Sequence, residues 1–322
     1  MSVELVPVSR LGHREAMNAD AMRLPARSEV APGDILRDTA PTPVPGIEGR
    51  ATTVIPEAWR IFYAFGGTTM ATALRAATAV VDRDDLHLVS CDATFCQAVP
   101  IGTVATQVEV LRQGRSGAQA LVRLWALDPD DPDPAGPVGN DLLVTCVFGS
   151  RAQRVFDFRG AVPPEVPEPD DCAPRAVLDP DSPFARIPYH AQTDFRLTAP
   201  SPSWGQEFPP GEPRTSSWFR FKAPPRLPDG RWDPTSLAVP GDILGPAVHA
   251  GAGSSVGPFL VISLQISLQF VADLRTEWLL QHTAAHAAGD GYASGTAELW
   301  DQDRQLVAIA TQCAKLQAIQ PG

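Results

Sequence analysis

Two stretches decide how this chain is read: GGTTMATALRAATAVVDRDDLHLVSCDATF at residues 66–95 and GDILGPAVHAGAGSSVGPFLVISLQISLQF at residues 241–270. Each opens on glycine and a run of helix formers, and each closes on a strand-like run ending in phenylalanine. The landmarks keep step. Gly67 to Leu88 is 21 residues, and so is Asp242 to Ser263; Leu88 to Phe95 is 7, and so is Ser263 to Phe270. Three further runs with period-2 alternation follow each stretch, at 102–114, 117–127 and 141–150 in the first copy and at 276–287, 292–302 and 306–317 in the second. LLVTCVF (142–148) then falls on LVAIATQ (306–312), and the 11 extra residues of the first copy are absorbed by the turn-forming loop DPDDPDPAGPVGN at 128–140. The pattern predicts an internal duplication, with a helix over 68–81 repeated over 241–253 and a long strand over 86–95 repeated over 259–270. The expected class is α+β, with each helix packed on an antiparallel sheet.

Around these copies the chain changes character. Residues 1–30 are polar and lack a clear period, and read as an extension. Residues 31–155 form the first unit, and the proline-dense stretch 156–215 reads as a linker. Residues 216–322 form the second unit. The composition is that of a globular protein, with 44% hydrophobic and 20% charged residues. No 18-residue apolar run occurs, which excludes a membrane helix, and the N-terminal residues lack the apolar core of a secretory signal. A net charge of −11 opposes a nucleic-acid partner. Five cysteines with no CxxC pair give neither a disulfide framework nor a zinc signature, and fit reduced thiols in the cytoplasm. No phosphate-cradling loop opens a helix after a strand, so no nucleotide cofactor is expected.

Several segments resemble the acyl-CoA thioesterase II family: Trp59 with FGGTTMATAL (65–74), LVSCDATF (88–95), LRQGRS (111–116), GDILGPAV (241–248), SLQISLQF (263–270), EWLL (277–280) and LVAIATQ (306–312). The resemblance implies a double hotdog, two fused units in which an antiparallel sheet wraps a helix. It implies hydrolysis of an acyl thioester carried on CoA or on acyl carrier protein, with no cofactor. Carried over by position, the family's catalytic set is Asp242, Ser263 and Gln312. A carboxylate can take a proton from water, while a hydroxyl and an amide hold the reacting groups without competing as bases. The first-copy positions, Gly67, Leu88 and Phe148, lack such groups, so one site per chain is expected. Gly66, Gly67 and Thr68 at the start of the first helix are expected to bind substrate, through free backbone N–H groups and close approach.

Two family features are absent. Gln265-Ile266 stands where the family has Asp-His, and Cys313 follows the final glutamine in place of glutamate. These departures motivate two other readings, a pathway-specific enzyme for a non-fatty acyl group and a non-catalytic acyl-binding protein. Structural readings of the same residues also stand. Asp242 can also be read as the N-cap of its own helix, alone or together with a role as base; as the base, Asp242→Asn is expected to keep that cap and lose activity with little change in melting temperature. Ser263, Gln265, Ser267 and Gln269 share one face of a regular strand and suggest sheet pairing between chains in a homo-oligomer. Asp92 is the alternative carboxylate, and Arg112, Arg115 and Arg151 can either face a CoA phosphate or simply lie at the surface. GxSxG at 253–257 has a helix before it and a strand after it, the reverse of a nucleophile elbow. His282 and His286 read as strand residues, so no metal site is expected.

Overall fold

The computed structural model describes residues 30–151, 155–174, 187–199 and 206–319; the extension read over 1–30 lies almost wholly outside them. The first half contains α1 (Ile35–Asp38), β1 (Thr42–Pro43), β2 (Arg50–Ile55), α2 (Gly66–Val81), β3 (His87–Phe95), β4 (Gly102–Gln113), β5 (Gly117–Ala126) and β6 (Leu142–Gly149). Next come β7 (Ala173–Pro174), α3 (Tyr189–Gln192), β8 (Thr193–Leu197) and β9 (Arg214–Phe221). The chain finishes with α4 (Ala238–Gly241), α5 (Leu244–Ala252), β10 (Phe259–Phe270), β11 (Leu279–Gly289), β12 (Tyr292–Asp301) and β13 (Leu306–Ala318). The strands form one sheet in the order β1-β2-β4-β5-β6-β3-β10-β13-β12-β11-β9-β8-β7. Every pairing among them is antiparallel. This is the α+β double hotdog, two sheets joined edge to edge with a helix against each. No helix among the described residues is long and apolar enough to cross a membrane.

The join fixes the symmetry. Asp92 and Ser267 hold the same position in the two copies, and in the β3–β10 pairing they face each other directly. Thr94 pairs with Gln265 and Ser90 with Gln269, so the register is symmetric about that pair. A pseudo-two-fold axis therefore passes between Asp92 and Ser267. The β-bulges repeat too. β3 slips between Leu88 and Ser90, and β10 between Ser263 and Gln265; β4 slips between Val110 and Arg112, and β11 between Ala285 and Ala287. The pairings correct one alignment. Cys91 pairs with Cys146 where its equivalent Ile266 pairs with Gln312, so the counterpart of Gln312 is Cys146 rather than Phe148. Spacing alone set the last strand two residues out, because the two connecting loops differ in length.

The two helices differ. α2 is buried over most of its circumference, and its run of Ala71, Ala73, Ala76 and Ala77 lets the sheet close round it. It stops at Asp82, which adopts the left-handed conformation at φ 46°. The single helix expected over 241–253 is instead split: α4 ends at Gly241, and α5 starts at Leu244 after a non-helical Asp242-Ile243. α5 packs on Ala285, Ala293 and Ala314. The stretch expected as a linker carries β7, α3 and β8, which extend the sheet. Part of it also crosses the outer sheet face, where the Trp218 indole N–H donates to the Pro167 carbonyl at 2.9 Å and Arg304 donates to the Val166 carbonyl at 3.0 Å.

α2 meets α4 with no room for a side chain. A Cβ on Gly67 would lie 2.6 Å from both the Ala238 carbonyl oxygen and the Val239 Cα, all backbone atoms. On Gly245 the nearest atom would be 3.9 Å away, an ordinary contact. Gly67→Ala is therefore expected to lose about 1–3 kcal/mol through overpacking. Gly245→Ala, inside a helix, is expected to hold or gain up to about 1 kcal/mol. Thermal melts of the two variants check this, and equal melting temperatures would contradict the packing argument.

Candidate active site

Asp242 sits at the break between α4 and α5, at the junction of the two units. Its side chain does not cap its own helix, whose N-cap is Ile243. It reaches across the pseudo-dyad to α2 instead, where the Gly67 N–H donates to Asp242 Oδ2 at 3.0 Å. The residue flanking the start of α2, Phe65, has no side-chain cap of its own, so the carboxylate of one unit caps the helix of the other. Gly66 makes room for it: a Cβ there would lie 2.6 Å from Asp242 Oδ2.

The other oxygen is held by the two residues expected beside it. The Ser263 hydroxyl donates to Asp242 Oδ1 at 2.8 Å, and Gln312 Nε2 donates to the same oxygen at 2.9 Å. Gln312 Nε2 also donates to Ser263 Oγ at 2.7 Å. The amide orientation follows from its far end, where Gln312 Oε1 accepts from the Leu244 N–H at 3.2 Å. Oxygen must face that donor, so nitrogen faces the carboxylate. Gln312 thereby caps α5, and both helix N-termini converge on one spot. The bulge at Leu264 is what brings Ser263 there. Strict alternation would leave Ser263 on the face of Gln265, Ser267 and Gln269. The inserted residue reverses that phase, and Ser263 pairs with the buried Ala314 on the helix side. The expectation that these four residues share a face is corrected accordingly.

The sequence-derived residues separate as follows. Asp242, Ser263 and Gln312 are bonded to one another, and Gly66 joins them on the wall of a cavity of about 1810 Å³. Gly67 touches the carboxylate through its N–H. Thr68 is fully buried and does not line the cavity, which corrects its expected place beside substrate. Asp92 lies on the outer sheet face, hydrogen-bonded to Ser267. Arg112, Arg115 and Arg151 do not line the cavity; its one arginine among the described residues is Arg214. Arg151 pairs with Asp273 at 2.8 Å. Ser254 of the GxSxG segment bonds the backbone of Phe208. His282 lies on β11 with Nδ1 2.8 Å from Ser216 Oγ, and no group of three metal-ligating side chains is found among the described residues. Tyr63, on the cavity wall beside Asp242, was not singled out by spacing or motif.

The electrostatics are those of a carboxylate without a cation. Burial pushes the Asp242 carboxyl above the usual aspartate range, while the bonds from Ser263, Gly67 and Gln312 pull it back in part. A carboxylate offers about four acceptor positions. Two on Oδ1 and one on Oδ2 are occupied. Among the described residues no further donor takes the remaining position on Oδ2, the oxygen next to the positive end of α2, and Asp242 lines the cavity.

Known proteins can be set beside this geometry. A family model described as the acyl-CoA thioesterase N-terminal domain matches residues 55–147, and one described as the acyl-CoA thioesterase C-terminal domain matches residues 169–315. No curated protein sequence matches. Among solved structures, a hotdog-fold protein from Alicyclobacillus acidocaldarius is similar with a TM-score of 0.71 at 22% identity, over 90% of this chain and 100% of that one. A candidate thioesterase from Novosphingobium aromaticivorans has a TM-score of 0.65 at 29% identity, over 85% of this chain and 98% of that one. An acyl-CoA thioesterase II from Mycobacterium marinum has a TM-score of 0.63 at 20% identity, over 89% of this chain and 99% of that one.

All donors around Asp242 point inward, so an asparagine cannot replace it silently. Its amide nitrogen must either face the Gly67 N–H or displace Ser263 and Gln312. One buried donor is left without an acceptor, at a cost of about 1–3 kcal/mol. Asp242→Asn is therefore expected to melt measurably below the wild type by calorimetry. This reverses the small change expected of an N-cap, and an unchanged melting temperature would contradict the three-donor account of Asp242.

Proposed function

This chain belongs to the acyl-CoA thioesterase family, and from that premise we propose that it hydrolyses an acyl thioester on CoA or acyl carrier protein, with Asp242 as general base. One observation carries the reading: the carboxylate at the cavity is held from three sides, yet keeps one acceptor position open beside the start of α2.

A water donating to that position is aimed at whatever lies in the cavity. As its oxygen attacks the thioester carbonyl carbon, its proton passes to Asp242 Oδ2. The carbonyl oxygen takes up the negative charge, and the N–H of Gly66, which has no acceptor within its own helix, is its donor on this reading. The tetrahedral adduct collapses, the C–S bond breaks, and the sulfur leaves with the proton held by Asp242. The products are a carboxylic acid and a free thiol, and the carboxylate is restored. Ser263 and Gln312 fix the carboxylate's plane, so that its open lone pair stays on the cavity side. Raised basicity favours this chemistry, because a base nearer the working pH transfers a proton more readily.

The cavity favours a bulky, non-fatty acyl group over a narrow alkyl chain. It is wide, and Phe62, Phe65, Phe95, Phe195, Phe208 and Phe259 line it. Aromatic walls of this kind suit flat or branched groups that stack edge to face.

Thiol release from a panel of straight-chain and arylacyl-CoA thioesters tests the reading. Asp242→Asn is expected to lower kcat by roughly 10²–10⁴, the range for a general base. Ser263→Ala and Gln312→Ala are expected to lose less, since each removes one support of the carboxylate. Tight binding of the thioesters with no thiol release by the wild type would favour a binding protein instead.

The pH profile supplies a second check. Activity requires ionised Asp242, so it falls as pH drops through a value raised by burial. The acid limb of kcat/KM is therefore expected above about 4, the ordinary aspartate value, and is expected to vanish in Asp242→Asn. A limb at or below that value in the wild type would remove Asp242 as the base.

A further inference from the structure

The duplication offers a way to find functional groups that motifs miss. Each polar group at the working site has an inert partner at the repeat position: Asp242 against Gly67, Ser263 against Leu88, Gln312 against Cys146. One more pair behaves this way at the same place. Tyr63 stands where the second copy has Ala238, counted by the offset that relates Gly67 to Asp242.

Tyr63 belongs to the short turn that delivers the chain into α2. The turn is pinned at both ends. Ile61 N–H donates to the Tyr63 carbonyl at 3.0 Å, Ala64 N–H donates to the Val99 carbonyl at 2.9 Å, and Phe65 N–H donates to the Trp59 carbonyl at 2.9 Å. The backbone is thus held rigidly three residues before Gly66, as a precisely placed group requires. The half-buried side chain lines the same cavity as Asp242, Ser263 and Gln312. Its hydroxyl makes no hydrogen bond with a described residue, so it is open to a ligand.

We propose that Tyr63 is a further catalytic residue of the hydrolytic site, its hydroxyl donating to the substrate carbonyl oxygen and forming, with the Gly66 N–H, the donor pair for the developing oxyanion. The proposal rests on the hydrolase reading of Asp242. Two donors of different origin, one backbone and one side chain, is a common construction for an oxyanion site. The protonation state fits. Burial, with the negative charge of Asp242 second, pushes the Tyr63 hydroxyl up to about 12. It therefore keeps its proton, and remains a donor, well above neutral pH. It gives up no proton in the cycle, and its hydrogen bond strengthens as charge builds on the oxygen.

The test has two arms. In the first, thiol release from phenylacetyl-CoA and decanoyl-CoA is compared between wild type and Tyr63→Phe. The variant is expected to lose roughly 10²-fold in kcat with KM within about twofold, because the bond matters most in the transition state. A residue that merely packed the wall would move KM or the melting temperature instead. In the second arm, the ketone analogue S-(2-oxododecyl)-CoA, which has no scissile C–S acyl bond, is labelled with ¹³C at its carbonyl and bound to both proteins. Difference infrared spectra are expected to show its carbonyl stretch at lower frequency on the wild type than on Tyr63→Phe. Equal stretching frequencies, or an unchanged kcat, would overturn the role of Tyr63 and leave Asp242 untouched. If the wild type releases no thiol from either thioester, the hydrolase reading fails by itself. The infrared comparison then still decides whether Tyr63 holds the carbonyl.

Discussion

A carboxylate of one unit sealed against the helix N-terminus of the other is the constraint on which this molecule turns. Asp242 reaches Gly67 only because α2 and α4 approach closely enough for backbone atoms to touch. That approach requires glycine at both Gly66 and Gly67, one to clear the carboxylate and one to clear the α4 backbone. It also requires the β3–β10 join, which sets the pseudo-dyad and so places each helix start opposite the other's equivalent. The interface between units and the reactive group are therefore one feature. Any shift of the units relative to each other moves the carboxylate away from its donors.

This arrangement has a stability consequence. A carboxyl held above its ordinary value is more readily protonated folded than unfolded. Its stabilising contribution is fully present below about 4, the unfolded value, and is lost as pH rises through the raised folded value. Ionised Asp242 thus lowers stability at neutral pH, and three hydrogen bonds and a helix terminus only partly offset its burial. The neutral amide of asparagine does not recover this cost, because it leaves one of the donors from Gly67, Ser263 or Gln312 without an acceptor. A buried carboxylate with no cation beside it among the described residues is the pattern of a group kept for reactivity.

Most of the architecture was legible in the sequence because it is carried by local patterns repeated twice. The glycine-led helix, the long strand ending in Phe95 or Phe270 and the three following strands each show their own period. What spacing left unread depends on non-local geometry. A bulge leaves no period of its own, so Ser263 was set on the outer face until the pairing with Ala314 turned it inward. The break at Asp242-Ile243 is flanked by Gly241, Gly245 and Pro246, and proline is tolerated at a helix start as well as marking a break, so the sequence alone does not place it. The shift from Phe148 to Cys146 follows from the unequal loops ahead of β6 and β13, which spacing does not resolve and strand pairing does. Thr68 followed the helix start in sequence, yet a helix turns about 100° per residue, which carries it from the cavity to the core.

The pseudo-symmetry also relates an open end of the molecule to a closed one. Ser263, Phe62, Phe95, Ala98 and Val99 line the large cavity. Their counterparts Leu88, Leu237, Phe270, Asp273 and Leu274 enclose a space of only about 20 Å³, with Trp232 beside them. Leucine replaces the serine hydroxyl, and Asp273 is tied up by Arg151. The two ends are the same backbone idea with opposite filling. Packing one end solid stiffens the strand ends of β3 and β10 at the join, and the join sets where the N-terminus of α2 meets Asp242. The loss of the second site is, on this argument, what holds the first in register.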